Sequence, residues 1–276
     1  MLADVVELLA CPVCAGGLTL HERVLGCDLG HGFDVARQGY VSLLTGSRVP
    51  GTADTAAMVA ARDAFLGAGH YAPLARAVAD ACPAGAGVLA DAGAGTGHYL
   101  AGALDALPGA VGVALDVSKH AIRRAARAHP RSGAVVADVW RPLPLRDGTI
   151  DVLLNVFAPR NGAEFARVLK GAGELVVVTP TSRHLVPLVE RLGLLSVDES
   201  KERRMAESLS EHFIETGRSS HAFELVLEHD AIEAVVGMGP SAWHMNPGVM
   251  RRKIADLPEK STVEASFRMS IFKRRR

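Results

Sequence analysis

Three short apolar segments in the middle of the chain each run into an aspartate. Residues 87–90 end at Asp91, residues 110–115 at Asp116 and residues 134–137 at Asp138. No other feature restricts the fold so far. Helical stretches separate the segments, and strands that alternate with helices predict a parallel sheet covered on both faces. In open α/β sheets a ligand binds beyond the carboxyl ends of the strands, which is where these acids stand. A fourth segment, 150–154, ends at Asn155, and a fifth, 174–178, runs into Thr179-Pro180.

The first acid opens a glycine loop, Asp91-Ala-Gly93-Ala-Gly95-Thr-Gly97-His98. This is not the dinucleotide fingerprint GxGxxG, which would need glycine at position 98. Glycines on strict alternation let the backbone come close to a ligand and adopt positive φ. No P-loop lysine follows, so a triphosphate is excluded. Asp116 ends the next strand, where a carboxylate accepts both hydrogens of a ribose diol. Asp138 is followed by Val139, which suits the edge of an adenine. The array predicts a site for an adenosyl ligand.

Three of the four cysteines fall in the first 27 residues, as Cys11-Pro-Val-Cys14 and then Cys27, with His31 four positions on. Two thiolates on one tight turn and a Cys/His pair on a second can meet around one tetrahedral Zn²⁺. Gly16-Gly17 and Gly26 sit where the backbone must bend, and 18–24 reads as a short hairpin. His21 is a rival ligand, but it lies mid-hairpin. A redox CxxC would need a strand–helix setting and no further ligands. No ligand position is left open, so the site reads as structural. A segment this short buries little core, and metal coordination supplies its folding energy. Cys82 stands alone and reads as a small buried apolar side chain.

The formal net charge is zero, which excludes a global basic field but not a local patch. Basic clusters occur at Arg123–Arg131, Lys201–Arg204, Arg251–Lys253 and Lys273–Arg276. The start, MLADVVELLACPVC, carries acids where a secretory signal carries bases, and no apolar run is long enough to span a membrane. These features predict a cytoplasmic protein with reduced cysteines. The expected organisation is a zinc module at 1–45, a linker and helix at 46–70 and a catalytic domain at 71–276. Asp54 is expected to cap a helix through Phe65, and 73–82 to form a second. A hairpin of 222–227 with 262–271 closes the pattern.

The motifs together resemble one family. CPVC with its later Cys and His, FDVARQGYVSLL, GAGHYAPL, the glycine loop, NVFAPRN and TPTSRHL are similar, nearly end to end, to the large-subunit ribosomal RNA (guanine-N1)-methyltransferases. RAARAHPR, VADVW, LPLRDG and NVFAPRN resemble the branch linked to macrolide (tylosin-type) resistance in actinobacteria. The resemblance implies a class I, Rossmann-like α/β methyltransferase domain behind a zinc ribbon. It implies S-adenosylmethionine as cofactor, a 23S rRNA hairpin as partner, no membrane, and a dimer with a concave RNA cleft. It carries zinc ligation onto Cys11, Cys14, Cys27 and His31, and donor contacts onto Tyr71, Gly97, His98 and His184. Tyr71 also reads as packing for the linker helix, His184 as a surface helix residue, and His98 as a backbone N–H at a helix start.

The acceptor side is less defined. Guanine N1 is unreachable inside a base pair, so the base must be unpaired or flipped out and held by stacking. Asn155 is a candidate to orient it, and Phe157 to stack on it or fill the core. Trp243, in the turn-rich Gly239-Pro240-Ser-Ala-Trp243-His244, is a second candidate platform or a core cap. A small-molecule methyltransferase and a non-enzymatic zinc RNA-binding protein are the rival readings.

Overall fold

The computed structural model describes residues 1–46, 53–196, 209–243 and 246–275. The basic run Lys201–Arg204, His244 and residues 47–52 of the linker lie outside those residues, as does the side chain of Trp243.

An eight-stranded sheet organises the chain. Its parallel centre is β5 (Val88–Ala92), β6 (Val111–Asp116), β7 (Ser132–Val136), β8 (Ile150–Val156) and β9 (Leu169–Pro180). An antiparallel ribbon, β10 (Phe213–Glu228) and β11 (Lys260–Arg274), closes one side, with β11 against β9. The order is β10-β11-β9-β8-β5-β6-β7-β4, where β4 is the short Tyr40–Ser42. The chain runs outward from β5 through β6 to β7, then returns to β8 on the other side of β5. Loops diverge at that reversal, and the crevice between them is the ligand position of a doubly wound sheet. The central strands read as unbroken apolar runs because both their faces are covered.

Helices follow the sequence expectation with small shifts. α1 is Ala56–Gly67 and α2 Ala72–Asp80. Thr55, not Asp54, caps α1, its hydroxyl accepting the Met58 N–H at 3.3 Å. Asp54 is instead paired with Arg62. α3 (His98–Ala106) starts directly from the glycine loop, and Ser118 caps α4 (Lys119–Ala125) as expected. α5 is Gly162–Val168, α6 Val186–Leu192, α7 His229–Gly237 and α8 Pro247–Ala255. The C-terminal ribbon is longer than its apolar centre because β10 is an edge strand whose exposed face carries polar residues. Among the described residues, no helix is long and apolar enough to cross a membrane.

The N-terminal segment forms a small three-stranded sheet of β1 (Thr19–His21), β2 (Val24–Gly26) and β3 (Gly32–Asp34). Its apolar side chains do not stand apart. Leu2, Val5, Leu9, Leu18 and Leu25 are buried in the same cluster as Val113, Leu115, Val135 and Leu153 of the large sheet. β4 pairs in parallel with β7, and Leu9 bridges Leu145. The strand at 40–42, which the periodicity did not single out, thus splices the metal-bearing segment onto the sheet edge.

Gly133 in β7 makes room for this packing: a methyl there would collide with Val5 Cγ2. Gly133→Ala should therefore destabilise the protein by about 1–3 kcal/mol through overpacking. Denaturant unfolding measures this, and Val5→Ala in the same chain should restore part of the loss. Equal stability of Gly133→Ala and the parent would contradict the docked arrangement.

Candidate functional site

The cysteine cluster is built on two tight turns. In the first, Cys11 N–H donates to the Gly16 carbonyl at 2.7 Å and Ala15 N–H returns to Cys11 O at 2.8 Å, with Ala15 at φ +59°. In the second, Cys27 N–H donates to His31 O at 3.1 Å and Gly30 N–H to Cys27 O at 2.9 Å. The turns bring Cys11, Cys14, Cys27 and His31 together, all four ligand atoms within 4.8 Å of one another. Cys14 Sγ lies 3.7 Å from Cys27 Sγ, and His31 Nδ1 lies 3.6 Å and 3.3 Å from Cys11 and Cys27 Sγ. With Zn–S near 2.3 Å and Zn–N near 2.0–2.1 Å, tetrahedral edges come to about 3.7 Å and about 3.5 Å, so the cluster fits zinc. Burial pushes the Cys27 thiol up, but the His31 and Leu29 backbone and the His31 ring outweigh it and hold it at about 6. His21 is exposed and faces Thr19 instead.

In the sheet, β5 carries a buried carboxyl near its end, Asp91. It is 1% exposed, and neither carboxyl oxygen has a hydrogen-bond partner. Burial first, and the Asp116 charge second, push it up to about 8. Two more polar groups nearby are buried without partners, His98 Nε2 and the Tyr99 hydroxyl. Buried polar groups are normally satisfied, so three orphans at one strand end mark the place of a polar ligand. Gly93, Gly95 and Gly97 all take positive φ, which fixes the loop's shape. Asp116 Oδ2 accepts the Gly95 N–H at 2.9 Å and Oδ1 the Ser118 N–H at 2.8 Å. Burial nevertheless leaves Asp116 above the usual carboxylate range.

The space beside Gly95 is not open. A Cβ there would meet Arg62 Nη1 at 3.2 Å, so a side chain of α1 already stands against the loop. Gly93 likewise faces protein, because its Cβ would collide with that of Ala158 in the turn after β8. Asp138 lies two residues beyond β7, where its Oδ1 accepts the Trp140 N–H at 3.0 Å and its other oxygen pairs with Arg141. A cleft of about 400 Å³ opens beside it, with Pro12 of the first cysteine turn, Leu43 and Thr45 across from Arg141.

Tyr71 and His184 come together across the sheet. Ser266 N–H donates to His184 Nδ1 at 3.2 Å, which leaves the ring proton on Nε2, 3.1 Å from the Tyr71 hydroxyl oxygen. Burial lowers His184 to about 4, and it also lowers His98. His184 is therefore a hydrogen-bonded residue of the turn before α6, not a surface helix residue. Tyr71 is 2% exposed and packs edge-on against Phe65, Phe223 and Phe267.

Asn155 does not face an acceptor. Its amide donates to Ala92 O at 3.0 Å and Pro159 O at 2.8 Å, and its Oδ1 accepts from Arg160 Nε at 3.3 Å. Fully buried and fully engaged, it ties the turn after β8 to β5. That turn holds Phe157 at φ +57° with its ring 43% exposed, against Tyr99 and Phe267. An exposed ring on a left-handed backbone is no core packing residue. The Trp243 backbone closes the short 3-10 turn Pro240–Trp243. Arg62, Tyr99 and Phe267 had escaped notice, since each sits at an ordinary position of a helix or strand.

Comparison with known proteins places this geometry. The RlmA N-terminal zinc-ribbon family matches residues 9–46, and a methyltransferase-domain family matches residues 90–177. A Streptomyces fradiae protein named 23S rRNA (guanine(748)-N(1))-methyltransferase is 50% identical over 98% of both chains. A Micromonospora griseorubida protein bearing the 23S rRNA (guanine-N(1)-)-methyltransferase name is 53% identical over 98% of both. The chain belongs to the 23S rRNA (guanine-N1)-methyltransferase family. A Bacillus subtilis relative, YxjB, is 32% identical over 86% of this chain and 87% of its own. Membership makes the chain a methyltransferase with a zinc ribbon, and S-adenosylmethionine and zinc are its cofactors. The orphaned groups at the glycine loop fit such a donor, which carries hydroxyls and an ammonium.

Two measurements follow. Purified protein should carry about one zinc per chain, and Cys27→Ser should release it while the β5–β11 sheet still unfolds cooperatively; elemental analysis finding no metal in reduced protein would refute the assignment. Asp91 is raised in the folded state from 3.8 to about 8, so the fold holds a proton that the unfolded chain releases. Its contribution to stability must fall as pH rises from about 4 to about 8. Asp91→Asn should abolish that part of the pH dependence, read as the difference between the two proteins' unfolding free energies across the window.

Proposed function

We propose that this protein transfers the methyl group of S-adenosylmethionine to N1 of a guanine in a hairpin loop of 23S rRNA. The observation that carries the proposal is relatives of that activity at 50% and 53% identity covering 98% of the chain. The zinc ribbon ahead of the catalytic sheet favours RNA over a small molecule, and the buried, partnerless Asp91 favours an enzyme over a regulatory protein.

In this reading Cys11, Cys14, Cys27 and His31 hold the zinc, within a module of residues 1–45 that recognises RNA. The linker and first helix span 46–70 and the catalytic domain 71–276. Asp116 accepts the ribose hydroxyls, and Asp138 with Val139 edges the adenine. Asp91, His98 and Tyr99 line the methionine end, walled by Tyr71 and His184. When bound, the donor supplies an already activated methyl group, so the protein's task is alignment. Burial keeps His98 and His184 uncharged, which spares the donor's sulfonium a neighbouring cation. Asp91 gives up its proton once the donor's ammonium is seated, which leaves a carboxylate of opposite charge beside it.

Phe157 stacks on the flipped guanine, and Asn155 holds the turn that presents it. Trp243 remains a second platform on the loop between α7 and α8. The cleft between the first cysteine turn and Arg141 leads the RNA from the zinc ribbon toward the sheet. The resemblance extends the proposal to a cytoplasmic dimer and to macrolide protection, read as tylosin tolerance in cells that express the chain.

Mass spectrometry of large-subunit rRNA incubated with protein and donor should show N1-methylguanosine. Phe157→Ala should reduce methylation about 5- to 150-fold, one stacked base being worth about 1–3 kcal/mol, with donor affinity and melting temperature nearly unchanged. Methylation at the parent rate would remove Phe157 from the acceptor site, and a methylated small molecule with untouched RNA would overturn the substrate.

A further inference from the structure

Arg62 stands in the donor cradle, although no motif points to it. It projects from α1 so that its Nη1 meets the Cβ position of Gly95 at 3.2 Å, while Nη2 donates to the Met238 carbonyl at 2.9 Å. Nη1 also pairs with the Asp54 carboxylate, and the two side chains are 25% and 20% exposed. The Asp54 carbonyl in turn accepts the Ser118 hydroxyl at 2.7 Å, which pins the pair beside Asp116. The guanidinium is within electrostatic reach of both the orphaned Tyr99 hydroxyl and the Asp116 carboxyl. Tyr99 feels Tyr71 and Asp91 from the same space. Arg62 therefore lies between the partnerless groups at the end of β5 and the acid at the end of β6.

A donor with an amino-acid end brings two opposite charges to these groups. Asp91, buried without a partner, suits its ammonium. Its carboxylate needs a cation, and the two histidines there are uncharged. A guanidinium is the side chain whose forked donors match a carboxylate. In this structure the chain's own Asp54 occupies that fork. We infer that Arg62 binds the carboxylate of the donor's amino-acid end, exchanging Asp54 for it. This rests on the reading of the glycine loop as the donor site. It makes Arg62 a binding residue and Asp54 an internal competitor, and it explains why a salt bridge sits against a glycine that a ligand should approach.

Calorimetry on the full-length chain tests this with two probes. S-adenosylhomocysteine carries the amino-acid end, and 5′-methylthioadenosine keeps the adenosine and thioether without it. Arg62→Ala should weaken the first about 10- to 100-fold, the usual loss of hydrogen bonds between charged groups, and leave the second essentially unchanged. Arg62→Lys should fall between, which guards against a variant that merely unfolds. Asp54→Asn should tighten S-adenosylhomocysteine binding, since the competitor is gone, and leave 5′-methylthioadenosine unaffected. Equal losses for both probes in Arg62→Ala, or weaker binding in Asp54→Asn, would show that the pair only braces α1 and would overturn the inference. Failure of the unsubstituted protein to bind either probe would instead overturn the donor-site reading, and the inference with it.

Discussion

The contact between Gly93 and Ala158 is the constraint on which the site depends. The glycine loop after β5 and the turn after β8 flank the reversal of the sheet, and they touch where a side chain on Gly93 would collide. Asn155 fastens the same junction, donating to Ala92 O on the loop side and Pro159 O on the turn side. A buried amide with all its hydrogen bonds made is rigid, because releasing any of them leaves a desolvated group unpaired. The junction sets the distance between the partnerless carboxyl of Asp91 and the aromatic ring of Phe157. In-line transfer tolerates little error in that distance. Phe157 pays for its place with a left-handed backbone, a strain that persists only where surrounding structure overdetermines it.

The zinc ribbon depends on the sheet in a comparable way. Three short strands enclose almost no core of their own, so the metal and the docking face must share the stabilisation. Val5 seated over Gly133, β4 added to the edge at β7, and Leu9 bridged to Leu145 make that docking face continuous with the main core. A module joined so closely is held at a fixed distance from the strand ends. A flexible tether would lose that register.

Much of this was legible in the residues. The strand-end acids, the glycine loop and the Cys/His spacing are local patterns, and local patterns survive into structure: Ser118 caps α4, and four ligand atoms converge. What escaped notice was set by distant partners. Asp54 reads as a cap, but the neighbouring Thr55 hydroxyl takes that role once Arg62 claims the carboxylate. Asn155 reads as a free amide because its acceptors are backbone carbonyls that no sequence pattern displays. Tyr40–Ser42 is too short to show periodicity, and only β7 makes it a strand. Gly95 reads as open to a ligand, whereas a side chain from 33 positions earlier stands over it.

Stability alone does not account for the acids at this crevice. Asp91 is wholly buried with no hydrogen bond, and Asp116, close enough to feel it, is also raised. Burying a carboxyl without a partner is unfavourable, and two neighbouring acids compound the penalty. An apolar residue at 91, beside the buried strand neighbour Leu154, would avoid that penalty. The chain nevertheless keeps the acid and leaves Tyr99 and His98 unsatisfied beside it. Protonation of Asp91 relieves that penalty, and Arg62 pairs with Asp54. A ligand bearing an ammonium, a carboxylate and a diol would satisfy Asp91, Arg62 and Asp116 together. The unfavourable terms carried by these groups are then the same terms that a donor removes on binding, which is how such a site can select a zwitterion.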